Sequence, residues 1–367
     1  MISVFGSNFG QEEIEAASKT ISAQWVGIGK QVQAFEEKFA AFIESDNFLL
    51  VDSGSNALFM AVKLLDLPPA SEIILPSFTW VACAQAVLMA GHRPVFCDVE
   101  RGTQNVSAAT IKPHITPKTG AIMVVHYAGK PVDISPILAL GIPVIEDAAH
   151  AVAARHLGKA CGTLGDVGIY SFDSVKNLAM GEGGGITCKN ASLLQKARQW
   201  RYCGIGKSGF QQATHTKTPH RWWEYTITDP FIKMLPTDLE ASIGLVQLDK
   251  LAANQAKRKQ IWQQYQKAFA PINWIICPEE TDTEAHGYFS YFIQVPERDQ
   301  LAHYLLENKI YTTLRYHPLH LNKVYASSTP LPNCEHLNET GLNIPLHPRL
   351  TAEEVAYVIE KIINFRA

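Results

Sequence analysis

Seven short runs of the chain are apolar almost without interruption: residues 48–53, 72–77, 94–99, 121–127, 142–147, 167–172 and 184–189. Runs of this length without polar alternation suit strands that are buried on both faces. Between the first three lie 56–65 and 80–90, where apolar residues recur at helical spacing. Repetition of strand, helix and strand predicts parallel strands joined by crossover helices, an α/β architecture. Ahead of them, 11–25 and 31–43 read as helices. The pattern changes beyond about residue 191. Residues 193–202 and 238–270 are helical in spacing, separated by a polar, aromatic and irregular stretch at 204–236. Past Pro271, 288–295 and 310–314 read as strands around a helix at 299–308. A last helix at 352–365 opens on Thr351 with Glu354 three residues on, the pattern of a capping box. The reading is a large α/β domain over 1–250 and a smaller α+β domain over 251–367.

Charge and cysteine content narrow the partners. The net charge is −3 and basic residues are scattered, apart from Lys257-Arg258-Lys259, which is a poor surface for tracking phosphates along a nucleic acid. No apolar run approaches the roughly 20 residues of a membrane helix. The opening Met1-Ile2-Ser3-Val4-Phe5-Gly6 lacks the basic and apolar regions of a secretory signal. Seven cysteines without a CxxC spacing argue against a disulfide framework and a zinc ribbon. These features predict a cytoplasmic enzyme with no nucleic-acid, membrane or metal partner.

In an open parallel sheet, ligands gather beyond the carboxyl ends of the strands. The first run ends in Ser53-Gly54-Ser55-Asn56 and turns into a helix, a cup for an anion or an ordinary helix cap. No GxGxxG follows a strand, so the usual dinucleotide fingerprint is absent. The second run ends at Trp80, which can stack on a flat ring or simply join the core. The fifth closes on Glu146-Asp147, followed by Ala148-Ala149-His150. Two carboxylates ending a buried strand point to opposite faces, so one can enter a site while the other leaves it. Asp147 suits a cationic ligand nitrogen, and equally a helix cap. After the sixth run, Lys176 lies on a short turn between apolar strands, followed by Gly181-Glu182-Gly183-Gly184-Gly185. Desolvation of a lysine amine makes it nucleophilic. A lysine for an aldehyde, a carboxylate for a pyridinium nitrogen, an anion cup and an aromatic face are together what pyridoxal phosphate needs.

These residues also carry a resemblance. Ser53-Gly54-Ser55-Asn56-Ala57-Leu58, Pro76-Ser77-Phe78-Thr79-Trp80-Val81-Ala82, Glu146-Asp147-Ala148-Ala149-His150-Ala151 and the stretch around Ser171-Phe172 and Lys176-Asn177 resemble the DegT/DnrJ/StrS-type sugar aminotransferases. So do Asp238-Leu239-Glu240-Ala241-Ser242-Ile243-Gly244, Tyr316-His317-Pro318-Leu319-His320-Leu321 and Ile344-Pro345-Leu346-His347-Pro348. The resemblance runs nearly end to end. It implies a fold type I pyridoxal-phosphate-dependent transferase, with a mostly parallel seven-stranded sheet flanked by helices and a smaller C-terminal α+β domain. By position, Lys176 matches the Schiff-base lysine and Asp147 the partner of the ring nitrogen. Trp80 matches the stacking residue and His150 the group near the ring oxygen. Gly54, Ser55 and Ser171 match the phosphate cup, with Asn56 beside them. Relatives with His in place of the lysine are dehydratases, so Lys176 favours transamination. One departure stands out: Leu235 falls where the family often has an Asn that reaches the cofactor phosphate across a dimer interface, so either that contact is lost or another group such as Lys233 replaces it.

The reaction implied is transfer of an amino group from L-glutamate to a UDP-, dTDP- or GDP-linked keto sugar, at C-4 of a 4-keto-6-deoxyhexose, for bacterial surface-glycan biosynthesis. C-3 amination, dehydration of a keto sugar and cofactor binding without catalysis are the competing readings. The resemblance also implies a homodimer with shared active sites. For the sugar nucleotide, the candidates are Arg221, Trp222, Trp223 and Tyr225 in the irregular stretch, with His317 and His320 at the rim. The first group equally suits packing at a subunit interface. His126, ending an apolar strand, reads as a satisfied core histidine.

Overall fold

Alternate residues of the first strand separate to opposite sides: Leu49 and Val51 join one apolar core, Phe48 and Leu50 another. Such two-sided burial requires layers of helices on both faces of a sheet. The computed structural model describes residues 1–206, 221–279 and 286–366. In it each of the seven apolar runs forms a strand of one sheet: β1 Phe48–Val51, β2 Glu72–Pro76, β3 Arg93–Cys97, β4 Thr119–Val125, β5 Val144–Asp147, β8 Val167–Ser171 and β9 Gly184–Cys188. Two two-residue strands, β6 Arg155–His156 and β7 Lys159–Ala160, make a separate hairpin. The sheet order is β1-β9-β8-β5-β4-β2-β3. Pairing is parallel from β3 through β8, and β9 is antiparallel to both its neighbours. The short link from Ser171 to Gly184, which carries Lys176, leaves no room for a crossover helix and turns β9 back along β8.

The N-terminal helices Gln11–Ser22 and Lys30–Phe42 pack on the long helix Asp238–Phe269. That helix begins at a capping box of Thr237 and Glu240 and runs unbroken through residue 250. Its second half belongs to a further apolar core, from Ile261 to Ile362. This core covers a small antiparallel pair, β10 Tyr291–Gln294 and β11 Gly341–Ile344, the helices Arg298–Glu307 and Ala352–Ile363, and the capping box at Thr351 and Glu354. Residues 310–314 do not form the partner strand expected there. They make isolated bridges, Ile310 to Ile2 and Thr313 to Asn343. The partner is Gly341-Leu342-Asn343-Ile344, whose Gly and Asn give little strand signal.

Candidate active site

A cavity of about 430 Å³ opens where β1, β2, β5 and β8 end, and C-terminal residues 313–316 and Phe5 close it from the other side. Of the eight residues expected to hold the cofactor, seven line it: Gly54, Ser55, Trp80, Asp147, His150, Ser171 and Lys176. Asn56 does not. Its amide donates to both oxygens of Asp52, at 2.9 and 3.0 Å, so it braces the turn before the helix instead of facing the cavity.

The anion cup is built by the helix Gly54–Leu64. Ser53 caps it, accepting from the Asn56 N–H at 3.1 Å. Gly54 and Ser55 occupy the first turn, where amides have no partner within the helix and the macrodipole favours negative charge. The hydroxyls of Ser55 and Ser171 have no hydrogen-bond partner among the described residues. Gly54 is required: a Cβ there would lie 2.7 Å from Ser171 Cβ.

Asp147 is buried, 4% exposed. Its Oδ1 accepts from the Ala149 N–H at 2.9 Å, and its Oδ2 from the thiol of Cys83 at 3.2 Å. Glu146 turns the other way. It is completely buried and accepts from the Gly162, Leu164 and Gly165 amides at 3.0, 2.6 and 2.6 Å, and from His126 Nε2 at 3.0 Å. Because the Val132 N–H donates to Nδ1 of His126, that ring carries its proton on Nε2 and is neutral. Burial works against the Glu146 charge, but the His126 bond and the backbone donors outweigh it and hold the carboxyl below its usual range.

Lys176 keeps part of its surface open to the cavity while protein atoms crowd its amine. Burial, then the positive charge of Arg315, depress its pKa to about 8, against the pull of Asp147 and Asp173. About a tenth of the amine is therefore unprotonated at pH 7, far more than for an ordinary lysine. Its Nζ lies 5.1 Å from the centroid of Phe289. His150 stacks on that same ring, centroids 3.9 Å apart, and its Nε2 lies 3.1 Å from the Tyr316 hydroxyl. Burial, with Lys176 and Arg315 nearby, pushes His150 well below its usual pKa, so it is neutral. Its buried Nδ1 has no hydrogen-bond partner among the described residues. Trp80 is 53% exposed and tilts 48° against Tyr316, with centroids 5.4 Å apart.

These features fit pyridoxal phosphate. An open helix end with two free hydroxyls suits its phosphate, and a buried carboxylate suits its ring nitrogen. A neutral histidine with an orphan nitrogen suits its ring oxygen, an exposed indole its ring face, and a depressed lysine its aldehyde.

The residues expected at the sugar nucleotide are not on this wall. Arg221 pairs with Glu224 at 2.8 Å, and Trp222, Trp223 and Tyr225 are exposed on the surface. His317 is exposed and bonds Asn338 at 2.9 Å. His320 is buried, its Nδ1 lying 2.6 Å from the Ser77 hydroxyl and its Nε2 3.4 Å from Glu335, so it fastens the end of β2 to the C-terminal region. Lys233 is exposed and Leu235 half-buried. Among the described residues, no cluster of His, Cys, Asp and Glu could hold a metal, and no helix is long and apolar enough to cross a membrane.

The residue missing from the sequence reading is Arg315. It is 9% exposed, lines the cavity, and makes no ion pair among the described residues. Its guanidinium lies 3.7 Å from the Phe5 ring centroid and 5.1 Å from that of Phe289. A related signal marks it: a cation directly after the strand-like run 310–314, beside an aromatic residue.

Comparison with known proteins agrees with this geometry. The chain is 36% identical over 371 residues to a dTDP-4-dehydro-2,3,6-trideoxy-D-glucose 4-aminotransferase of Saccharopolyspora spinosa, covering 98% of this chain and 96% of that protein. It is 32% identical to the spore coat polysaccharide biosynthesis protein SpsC of Bacillus subtilis (strain 168), covering 96% and 94%. Among solved structures, the aminotransferase TlmJ of Streptoalloteichus hindustanus superimposes with a TM-score of 0.92 at 34% identity, covering 99% and 98%. The family model for DegT/DnrJ/EryC1/StrS aminotransferases matches residues 7–363. The cofactor of that family is pyridoxal 5′-phosphate. With Lys176, Asp147 and the anion cup meeting in one cavity and nearly the whole length matched, the chain belongs to the DegT/DnrJ/EryC1/StrS family of sugar aminotransferases.

Proposed function

We propose that the protein transfers the amino group of L-glutamate to the keto carbon of a nucleotide-linked sugar, at C-4 of a 4-keto-6-deoxyhexose, in bacterial surface-glycan assembly. The observation that carries this is a lysine with pKa about 8 sharing one cavity with a buried carboxylate and an empty-handed cation, Arg315. Bound there, pyridoxal phosphate supplies an aldehyde that captures amines and a ring that accepts an electron pair. Lys176 would hold that aldehyde through its Nζ and, when free, would carry a proton at the same atom. Asp147 keeps a proton on the ring nitrogen, and Gly54, Ser55 and Ser171 hold the phosphate.

Arg315 takes the donor's α-carboxylate. A guanidinium fork matches a carboxylate, and the α-carboxylate is one bond from the carbon whose proton Lys176 removes. The diphosphate of a sugar nucleotide lies a sugar ring away from the reacting C-4, so it belongs nearer the mouth. C-4 amination and a dTDP-linked acceptor follow the naming of the Saccharopolyspora relative. The polysaccharide role follows that of SpsC. Lys rather than His at 176 favours amination over dehydration.

A cytoplasmic homodimer completes the reading, each subunit divided at about residue 250 into 1–250 and 251–367. Exposed Trp25, Val26, Trp222, Trp223, Tyr225 and Ile232 support an interface between copies. Through it, Arg221, Trp222 and Tyr225 would meet the partner's sugar nucleotide, with His317 at the rim.

The test is the visible absorption spectrum of the cofactor-loaded protein. A yellow band that bleaches with excess L-glutamate and returns only with a keto-sugar nucleotide is the expected result. A band indifferent to glutamate would remove the proposed donor. Loss of water from the sugar without a donor would move the assignment to dehydration.

A further inference from the structure

Asp147 is the carboxylate on which the proposed chemistry turns, and its surroundings are unusual. Among the described residues its oxygens receive one backbone donor, Ala149, and one side-chain donor, the Cys83 thiol at 3.2 Å. Cys83 sits one turn into the helix Val81–Met89, which Trp80 opens, and is completely buried. Its sulfur also lies 3.3 Å from the hydroxyl of Thr79, a residue of the cavity wall. Burial, and the Asp147 charge beside it, push the thiol well above its usual pKa. It therefore stays protonated at neutral pH and is always a donor toward Asp147.

We propose that Cys83 is a positioning residue: its S–H bond to Oδ2, backed by the Thr79 hydroxyl, fixes the plane of the Asp147 carboxylate so that its remaining acceptor capacity faces the cofactor's ring nitrogen. This rests on the cofactor reading given above. The backbone bond at Oδ1 anchors one oxygen only, and a carboxylate held at one oxygen still turns about its Cβ–Cγ bond. The second donor removes that freedom. A thiol suits the task because it is a weak donor: it orients the carboxylate without drawing off the negative charge that keeps the ring nitrogen protonated. The closeness of Trp80 and Thr79 in sequence explains the geometry. The turn that sends the indole over the cavity brings the next helical turn down onto Asp147.

The experiment uses full-length protein loaded with pyridoxal phosphate labelled with ¹⁵N in the ring, comparing wild type with Cys83→Ala, Cys83→Ser and Asp147→Asn. The expected result for Cys83→Ala is a lower midpoint for ring-nitrogen deprotonation by NMR. With it goes a three- to tenfold slower bleaching by glutamate, about the worth of one net hydrogen bond, while cofactor affinity changes less. Cys83→Ser, which restores a donor, returns both readings to within about twofold of wild type. In the Asp147→Asn background, Cys83→Ala adds nothing. Cys83→Val, similar in size and without a donor, replaces the alanine variant if that does not fold. An unchanged or raised midpoint, absence of rescue by serine, or an undiminished effect in the Asp147→Asn background overturns the proposal. Wild-type protein that takes up no cofactor would instead overturn the reading beneath it.

Discussion

Replacing Arg315 with leucine tests the donor site directly. The guanidinium is 9% exposed and has no carboxylate partner among the described residues. Among the described residues its guanidinium reaches one side-chain polar atom, the Tyr316 hydroxyl, at a loose 3.5 Å. Its burial is therefore uncompensated until an anion arrives. A bidentate, charge-assisted pair in this setting is worth about 2–3 kcal/mol, or about 30- to 150-fold in Kd. The assay is titration of the cofactor-loaded protein with L-glutamate, following loss of the visible band. Arg315→Leu should weaken glutamate by that factor. Arg315→Lys, which keeps the charge but not the fork, should fall between. The sugar-nucleotide half-reaction, started from the aminated cofactor, should change less than about threefold, because its diphosphate is assigned elsewhere. A second readout needs no substrate. After burial, the charge of Arg315 depresses the Lys176 pKa, so in the cofactor-free variant the pH midpoint of cofactor capture should move up from about 8. A glutamate affinity within threefold of wild type, with the sugar reaction impaired instead, would refute the assignment and transfer Arg315 to the acceptor.

Lys176→Ala should abolish multiple turnover and the covalently held cofactor band, and sustained turnover would sink the role given to this amine. Lys176 also predicts a pH-dependent stability in the cofactor-free protein. Its folded pKa of about 8 lies below the 10.5 of an unfolded lysine, so between these values the unfolded chain binds more protons and stability rises with pH. Below pH 8 the buried charge costs up to about 3 kcal/mol. Urea unfolding at pH 7 and pH 10.5 should show Lys176→Met gaining on wild type at the lower pH only, and a pH-independent difference would contradict this. Glu146→Gln should destabilise by about 3 kcal/mol. The amide keeps one acceptor oxygen but turns its N–H groups toward either the Leu164 and Gly165 donors or the Gly162 and His126 donors. Equilibrium unfolding measures the loss, and a change below about 1 kcal/mol would mean that His126 and the loop rearrange at little cost.

What the sequence made legible follows from how local each signal is. The seven strands could be read because a run buried on both faces needs no knowledge of its neighbours, and Lys176 and Asp147 because charge inside such runs is costly wherever they pack. Their meeting in one cavity followed from a topological rule about strand ends. The errors have the opposite character. Asn56 turns back four residues to Asp52, and the choice between that and an anion depends on geometry inside one turn. His320 binds Ser77, 243 residues away, so neither its burial nor its partner is visible along the chain. The strand expected at 310–314 fails because its backbone is divided between different partners, Ile310 bridging Ile2 and Thr313 bridging Asn343.

Arg315 divides these two cases. Its place at the end of a strand-like run gave a local signal related to that of Lys176, which would have named it a candidate. Its chemistry, however, is set by Phe5 and Phe289, which arrive from distant parts of the chain and stack around the guanidinium without neutralising it. A buried cation surrounded by rings and lacking a carboxylate is stable only where a ligand anion is a regular occupant, or where the fold tolerates the cost for function. Both Lys176 and Arg315 meet the Phe289 ring at 5.1 Å, one as amine and one as guanidinium. The ring thus serves as a shared floor, holding two cations close enough that each depends on the other: the guanidinium adds to burial in lowering the pKa of the amine, and the anion that neutralises the guanidinium relaxes that pressure. Donor binding at Arg315 should therefore raise the basicity of Lys176 as the proton has to be moved.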